Sequence, residues 1–308
     1  MQLLFQQLIN GLSWGAILAL IAVGYTMVYG VLRLINFAHG DIYMVIALGG
    51  WYVSSHWYTS RLTFPSWLAF FVILITSVVV CGVLGFLIEL IAYRPLRGQP
   101  RITALITAIG VSLFLEYGGQ QFFGASPQAF PQLIPGLELN PSLFHIGEVV
   151  VGKVDAIIFI ITLVLMAGLW YLVMRTKSGL ALRAVSFRFD TAALMGININ
   201  RIISFTFVLG SVLAATAGIL VAIRNPKVDP LMGLQPGIKA FVAAVLGGIG
   251  NIPGAVAGGF LLGMTEVLVA GYLPQGSQYK DGIAFVILIA VLLLKPSGLF
   301  GQNVIEKV

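Results

Sequence analysis

The chain has 308 residues, of which 59% are apolar (AVILMFWYC) and only 9% charged, and its mean hydropathy is +1.00. That balance lies well beyond the apolar share of a soluble domain, so most of the chain belongs in lipid. The formal charge of +6 does not point to nucleic acid, because the basic residues stand in short loops between apolar blocks, where they act as orientation signals.

Taken in order, the N-terminus MQLLFQQLINGLSWG lacks the charged start and small-residue cleavage site of a secretory signal, so the first apolar segment is expected to stay as a span. Apolar segments lie near 4–32, 41–58, 66–92, 102–122, 156–174, 202–223, 237–249, 254–273 and 281–294. Against the length of about 20 residues that a span needs, the seventh is too short to cross alone. The expectation is an all-α, polytopic membrane protein with about eight or nine embedded segments in one domain over 1–308.

Two places share a layout. Gly30 leads to Asn36, His39, Gly40 and Asp41, then to a segment rich in small residues; Gly247, Gly248 and Gly250 lead to Asn251, Pro253 and Gly254, then to another. This suggests an internal repeat of inverted form, with broken helices whose freed backbone groups face a pathway. On that reading Asn36, His39, Gly40, Asp41, Gly247, Gly248, Gly250 and Asn251 are pathway candidates. The plainer reading makes His39 a helix start or a satisfied interior group, and the glycines points of close helix packing.

Acids inside apolar blocks are costly unless paired or wet. Glu89 stands five residues before Arg94, which favours a local ion pair. Glu116, like Glu89, falls towards an interface, whereas Glu266, a further pathway candidate, has no basic residue nearby in sequence and takes Lys239 as its candidate partner across helices. Cys81 is the single cysteine, so no disulfide framework exists.

Segment 123–155 carries Pro127, Pro131, Pro135 and Pro141 and reads as a folded-back loop, either a lid or a landing surface for a substrate-delivering protein. Segment 176–201 holds Arg183, Arg188 and Arg201 beside Arg175 and Lys177, against the single acid Asp190, which places it on the cytoplasmic side. Alternation then puts the N-terminus outside, the C-terminus inside and 123–155 outside. Leu180, Leu182, Val185, Phe189, Ala192, Ala193 and Met195 fall near helical spacing, with Gly196 and Asn198 as a stop. One or two short amphipathic helices follow, lying on lipid or docking a partner.

No Gly-x-x-x-x-Gly-Lys-[Ser/Thr] loop occurs, so this chain is not the ATPase of any ATP-driven system. His39, His56 and His145 lack metal-ligand spacing, and neither a nucleophile elbow nor an HExxH helix is present. No catalytic or metal-binding residue is expected.

Four ordered stretches carry a resemblance: Gly24 to Gly30 (GYTMVYG) through Ile35 to Asp41 (INFAHGD), Ala92 to Arg97 (AYRPLR), Ala243 to Gly254 (AAVLGGIGNIPG), and Arg183–Ala184 with Ala192–Ala193 and Gly196–Ile197–Asn198. Together they resemble the permease subunits of ATP-binding-cassette importers for branched-chain amino acids, the Leu/Ile/Val type. One difference is that Ser186, Phe187 and Arg188 stand before Asp190, where that resemblance leads one to expect acids. It implies a bacterial inner-membrane permease that holds no cofactor itself. Two cytoplasmic ATPases would bind ATP and Mg and dock on the coupling loop at Arg183, Asp190, Ala192, Ala193, Gly196 and Asn198. A related permease or a second copy would complete the pore, and a periplasmic or extracellular binding protein would deliver substrate. Two alternatives stay open: a same-family permease for urea or amides, and an ion-coupled secondary transporter using Glu116 and Glu266.

Overall fold

The computed structural model describes residues 2–34, 36–58, 66–131, 142–146 and 149–301. Its helices are α1 (Gln2–Leu32), α2 (His39–Val53), α3 (Ser66–Ile88), α4 (Arg101–Phe123), α5 (Lys153–Arg175), α6 (Lys177–Phe187), α7 (Phe189–Leu194), α8 (Ile199–Arg224), α9 (Leu234–Gly247), α10 (Ile252–Tyr272) and α11 (Gly276–Leu294). A π-turn, Ser54–Tyr58, continues α2; another, Glu89–Tyr93, and a short 3-10 turn, Arg94–Leu96, continue α3. Seven of the helices are long and apolar enough to cross a membrane: α1, α3, α4, α5, α8, α10 and α11. The chain is therefore the all-α, multi-pass protein that its composition requires.

Short strands are the exception. β1 (Gln128–Ala129) pairs antiparallel with β4 (Lys227–Val228), and β2 (Ser142–Ile146) pairs antiparallel with β3 (Val149–Gly152). The described parts of the segment expected to fold back do so as extended pairs; Pro135 and Pro141 lie outside the described residues.

Burial divides the spans into a centre and a rim. The most apolar windows of α1 and α8 are 83% and 78% buried, whereas that of α11 is only 6% buried. A helix that is apolar on every side is either enclosed by others or bathed in lipid, and here both kinds occur. The centre is held together by close backbone approach: a β-carbon at Gly15 would meet Phe260 Cα at 2.8 Å, and one at Gly11 would meet Met264 Cα at 3.0 Å. Small residues do this work because lipid supplies no hydrophobic drive between helices.

The packing obeys a two-fold exchange that inverts direction. α1 runs antiparallel to α10 through Gly11–Met264 and Gly15–Phe260; α8 runs antiparallel to α3 through Gly85–Phe207 and Gly82–Val212. α2 runs parallel to α8, with His39 at Gly210 and Tyr43 at Gly218; α9 runs parallel to α1, with Gly237 at Tyr25 and Gly250, in the turn just past its end, at Gly30. α1 and α8 themselves cross where a β-carbon at Gly210 would stand 3.3 Å from Gly24 O. The repeat is thus α1–α2–α3–α4 against α8–α9–α10–α11. This corrects the pairing of 30–50 with 247–263: the counterpart of α2 is α9, and the resemblance of the two Gly-Asn stretches joins non-equivalent turns.

Segment 41–58 also differs from a plain span. Its helix starts at His39, beside the middle of α8, because the chain turns back after α1 through Arg33 at φ +54. The 14 residues of α9 bear out the short seventh segment.

Candidate functional site

The first group of site residues forms where α2 and α9 begin. Asn36, His39 and Asp41 are all buried. The His39 ring lies against Gly24 and Gly210 and meets Tyr25 edge-on, with centroids 4.6 Å apart. A β-carbon at Gly40 would stand 2.6 Å from Gly233 O and 2.8 Å from Gly237 Cα. The starts of the two shorter helices therefore meet backbone to backbone at the centre of the bundle. Asp41 accepts a hydrogen bond from the Ser112 hydroxyl of α4, and buried Glu116, one turn further along, adds a second carboxyl beside it. Helix starts carry partial positive charge, which complements Asp41 in the first turn of α2.

Gly247, Gly248, Gly250 and Asn251 do not join that group. They form the turn from α9 to α10, where Asn251 caps α10 by accepting from Gly254 N at 3.1 Å and donates to Phe300 O at 2.9 Å. Gly248 and Gly250 take φ of +103 and +93, a region that favours glycine. A β-carbon at Gly30 would meet Gly250 Cα at 3.5 Å, so this turn packs on the far end of α1. Glu266 lies in a third place, buried on α10, where it is bound by Lys239 of α9 and by the Trp14 indole of α1. Lys239 is the partner expected for it, and Asp281 of α11 completes the cluster.

The Glu89–Arg94 pair also forms, at 2.9 Å, within a larger network. Glu89 is fully buried and also binds Arg97 and, at 2.7 Å, the Ser204 hydroxyl of α8. Arg94 donates to the same hydroxyl at 2.9 Å, and Arg97 to Asn200.

The segment 176–201 folds as two short helices, α6 and α7. Thr176 caps α6, accepting from Gly179 N at 3.1 Å. Leu182, Val185 and Ala192 turn inward, while Leu180, Phe187, Leu194 and Met195 are exposed, the last two at 88% and 78%. The helical spacing is borne out in the two helices, whose apolar residues divide between an inward face and an exposed outer one. Arg183, Asp190, Ala193, Gly196 and Asn198 are exposed as well. Gly196, at φ +78, ends α7 as expected; Asn198 instead starts α8 by accepting from Arg201 N at 3.1 Å.

Sequence reasoning passed over Tyr25, Tyr93, Ser112 and Gly233. Hydroxyls inside apolar runs give no periodic signal, although Tyr25 lies within GYTMVYG and Tyr93 within AYRPLR.

Comparison with known proteins bears on this arrangement. The family described as branched-chain amino acid transport system / permease component matches residues 7–292. The chain is 43% identical to the high-affinity branched-chain amino acid transport system permease protein BraD of Pseudomonas aeruginosa, covering 98% of this chain and 97% of that one. It is 40% identical to the corresponding permease protein LivH of Escherichia coli K12, with the same coverage of 98% and 97%. Among solved structures, PsaBC from Streptococcus pneumoniae in complex with Fab matches with 14% identity and a TM-score of 0.48, covering 94% of this chain and 91% of that one.

Proposed function

The chain belongs to the family of branched-chain amino acid transport permease components, and on that premise we propose that it carries leucine, isoleucine and valine inward as one membrane subunit of an ATP-driven importer. A permease component is a non-catalytic subunit, and its multi-pass bundle is the membrane part of the system. The observation that supports the substrate is the 43% identity that runs through 98% of the chain.

In the proposed assembly two cytoplasmic ATPases bind ATP with Mg and dock on α6 and α7. The exposed Phe187, Leu194 and Met195 support this, since large apolar groups outside the spans mark an interaction surface. Arg183, Asp190, Ala193, Gly196 and Asn198 rim it. A second permease, related or identical, completes the pathway, and a binding protein delivers substrate to the face carrying β1 to β4. The N-terminus is outside and the C-terminus inside, an orientation supported by the basic residues of 93–101 and 175–201. The pathway runs past the meeting point of α2 and α9, where Asn36, His39, Gly40 and Asp41 stand. Its glycine-to-glycine seams let the two repeats shift against one another as the ATPases close.

The test is uptake in cells that lack this chain. Labelled leucine, isoleucine and valine should enter at a small fraction of the parental rate and recover on complementation. Uptake at the parental rate in the deletion strain removes the substrate assignment.

A further inference from the structure

Resting on the reading that α6 and α7 receive motion from the ATPases, we propose that Tyr93 is a positioning residue that carries this motion to the chain break between α1 and α2. The connection from α7 to α8 is short, Met195 to Asn198, and Asn198 caps the first turn of α8. A displacement of α7 is therefore delivered to the first two turns of α8, where Asn200 and Ser204 lie. Both are tied to the end of α3: Arg97 donates to Asn200, while Ser204 donates to Glu89 at 2.7 Å and accepts from Arg94 at 2.9 Å. Glu89 is fully buried, and separating a buried acid from its partners is costly. The start of α8 and the segment 89–97 accordingly move as one body.

That segment opens with a π-turn, Glu89–Tyr93, a rare insertion that recurs at functional sites. Here it turns Tyr93 inward, with its ring 5.1 Å from that of Phe207. The Tyr93 hydroxyl donates to Asn36 Oδ1 at 2.8 Å. Asn36 stands three residues before His39, the first residue of α2, and its carbonyl accepts from His39 N at 3.1 Å. Polar contacts linked through the main chain of 89–97 thus lead from the start of α8 to the point where α2 begins at the bundle centre. Nothing in catalysis by the ATPases requires Tyr93, so its loss separates hydrolysis from movement.

The experiment uses the full permease–ATPase complex in lipid nanodiscs, with Leu34→Cys as a reporter beside the break; Cys81 is fully buried and supplies a silent background. The rate of labelling by a water-soluble maleimide is compared without nucleotide and with ATP trapped by vanadate. Nucleotide should change this rate in the parent. In Tyr93→Phe the change should shrink by about fivefold, the size expected for one hydrogen bond, while ATP hydrolysis stays within about twofold of the parent. Asn36→Ala should shrink the nucleotide response as well, and the double variant should lose no more of it than either single one, as for two partners of one contact. Ser204→Ala supplies a third, upstream variant should either of these fail to assemble. An unchanged response in Tyr93→Phe, simple addition of the two effects, or a parent whose rate ignores nucleotide overturns the proposal. Because nucleotide drives the readout, it stands whether or not branched-chain amino acids are the cargo.

Discussion

Lys239 Nζ lies 3.0 Å from Glu266 Oε2, and the same oxygen accepts the Trp14 indole N–H at 2.9 Å. This joins α9, a helix too short to cross the membrane, to the long helices on both sides of it. Asp281 reaches Lys239 at 2.6 Å from α11. Lys239→Met should leave two acids without their cation and destabilise the subunit by about 3–5 kcal/mol. The expected result is a lower thermal midpoint in detergent, partly restored in Lys239→Met/Glu266→Leu. A melting curve unmoved by Lys239→Met removes the cluster from the list of supports.

Gly24 is a second point of dependence. A β-carbon there would run into the His39 ring, which itself fills the crossing of α1 and α8. Gly24→Val should displace His39, shift the start of α2 and lower uptake far more than it lowers the amount of inserted protein. Gly49, where a β-carbon meets nothing within 4 Å, is the matched control: Gly49→Ala should leave uptake near the parental rate. Equal behaviour of the two variants, measured as uptake per inserted molecule, counts against the crossing.

For the helix pair α6 and α7, Leu194→Glu changes a side chain that is 88% exposed. It should leave the melting behaviour of the isolated subunit alone and reduce ATPase co-purification sharply. Gly196→Val acts otherwise, forcing a β-branched residue into φ +78 at a cost of about 1–2 kcal/mol, and should misalign α7 on α8. Normal co-purification of the ATPases with Leu194→Glu means that they dock elsewhere.

Orientation is open to chemical labelling. Cysteines replacing Arg183 and Arg188 should react with an impermeant maleimide only after the membrane is opened, and one replacing Lys227 should react in intact cells. The reverse pattern inverts the topology.

The long spans, the two short helices of 176–201 and the Glu89–Arg94 and Lys239–Glu266 pairs were legible in the sequence. Hydropathy sets span length, and an acid in an apolar run demands a partner. The start of α2 was not legible as a central feature. Segment 41–58 has the length and apolarity of any span, and only the reversal at Arg33 and the packing of His39 on Gly210 place its beginning in the bundle interior. The repeat pairing failed for a related reason: a Gly-Asn pattern marks a turn, whereas equivalence between halves is set by which helices pack on which. The candidate pathway residues scattered into three places because glycine and asparagine serve turns, caps and seams alike.

The last described residues have a consequence for handling the protein. Leu299 N donates to Leu246 O at 2.8 Å and Phe300 N to Gly247 O at 3.1 Å, so the closing carbonyls of α9 find their partners in main chain that returns to them only after α10 and α11. Trimming the chain back to Pro296 strips those carbonyls bare, whereas an affinity tag or fluorescent fusion appended beyond Gly301 leaves them satisfied.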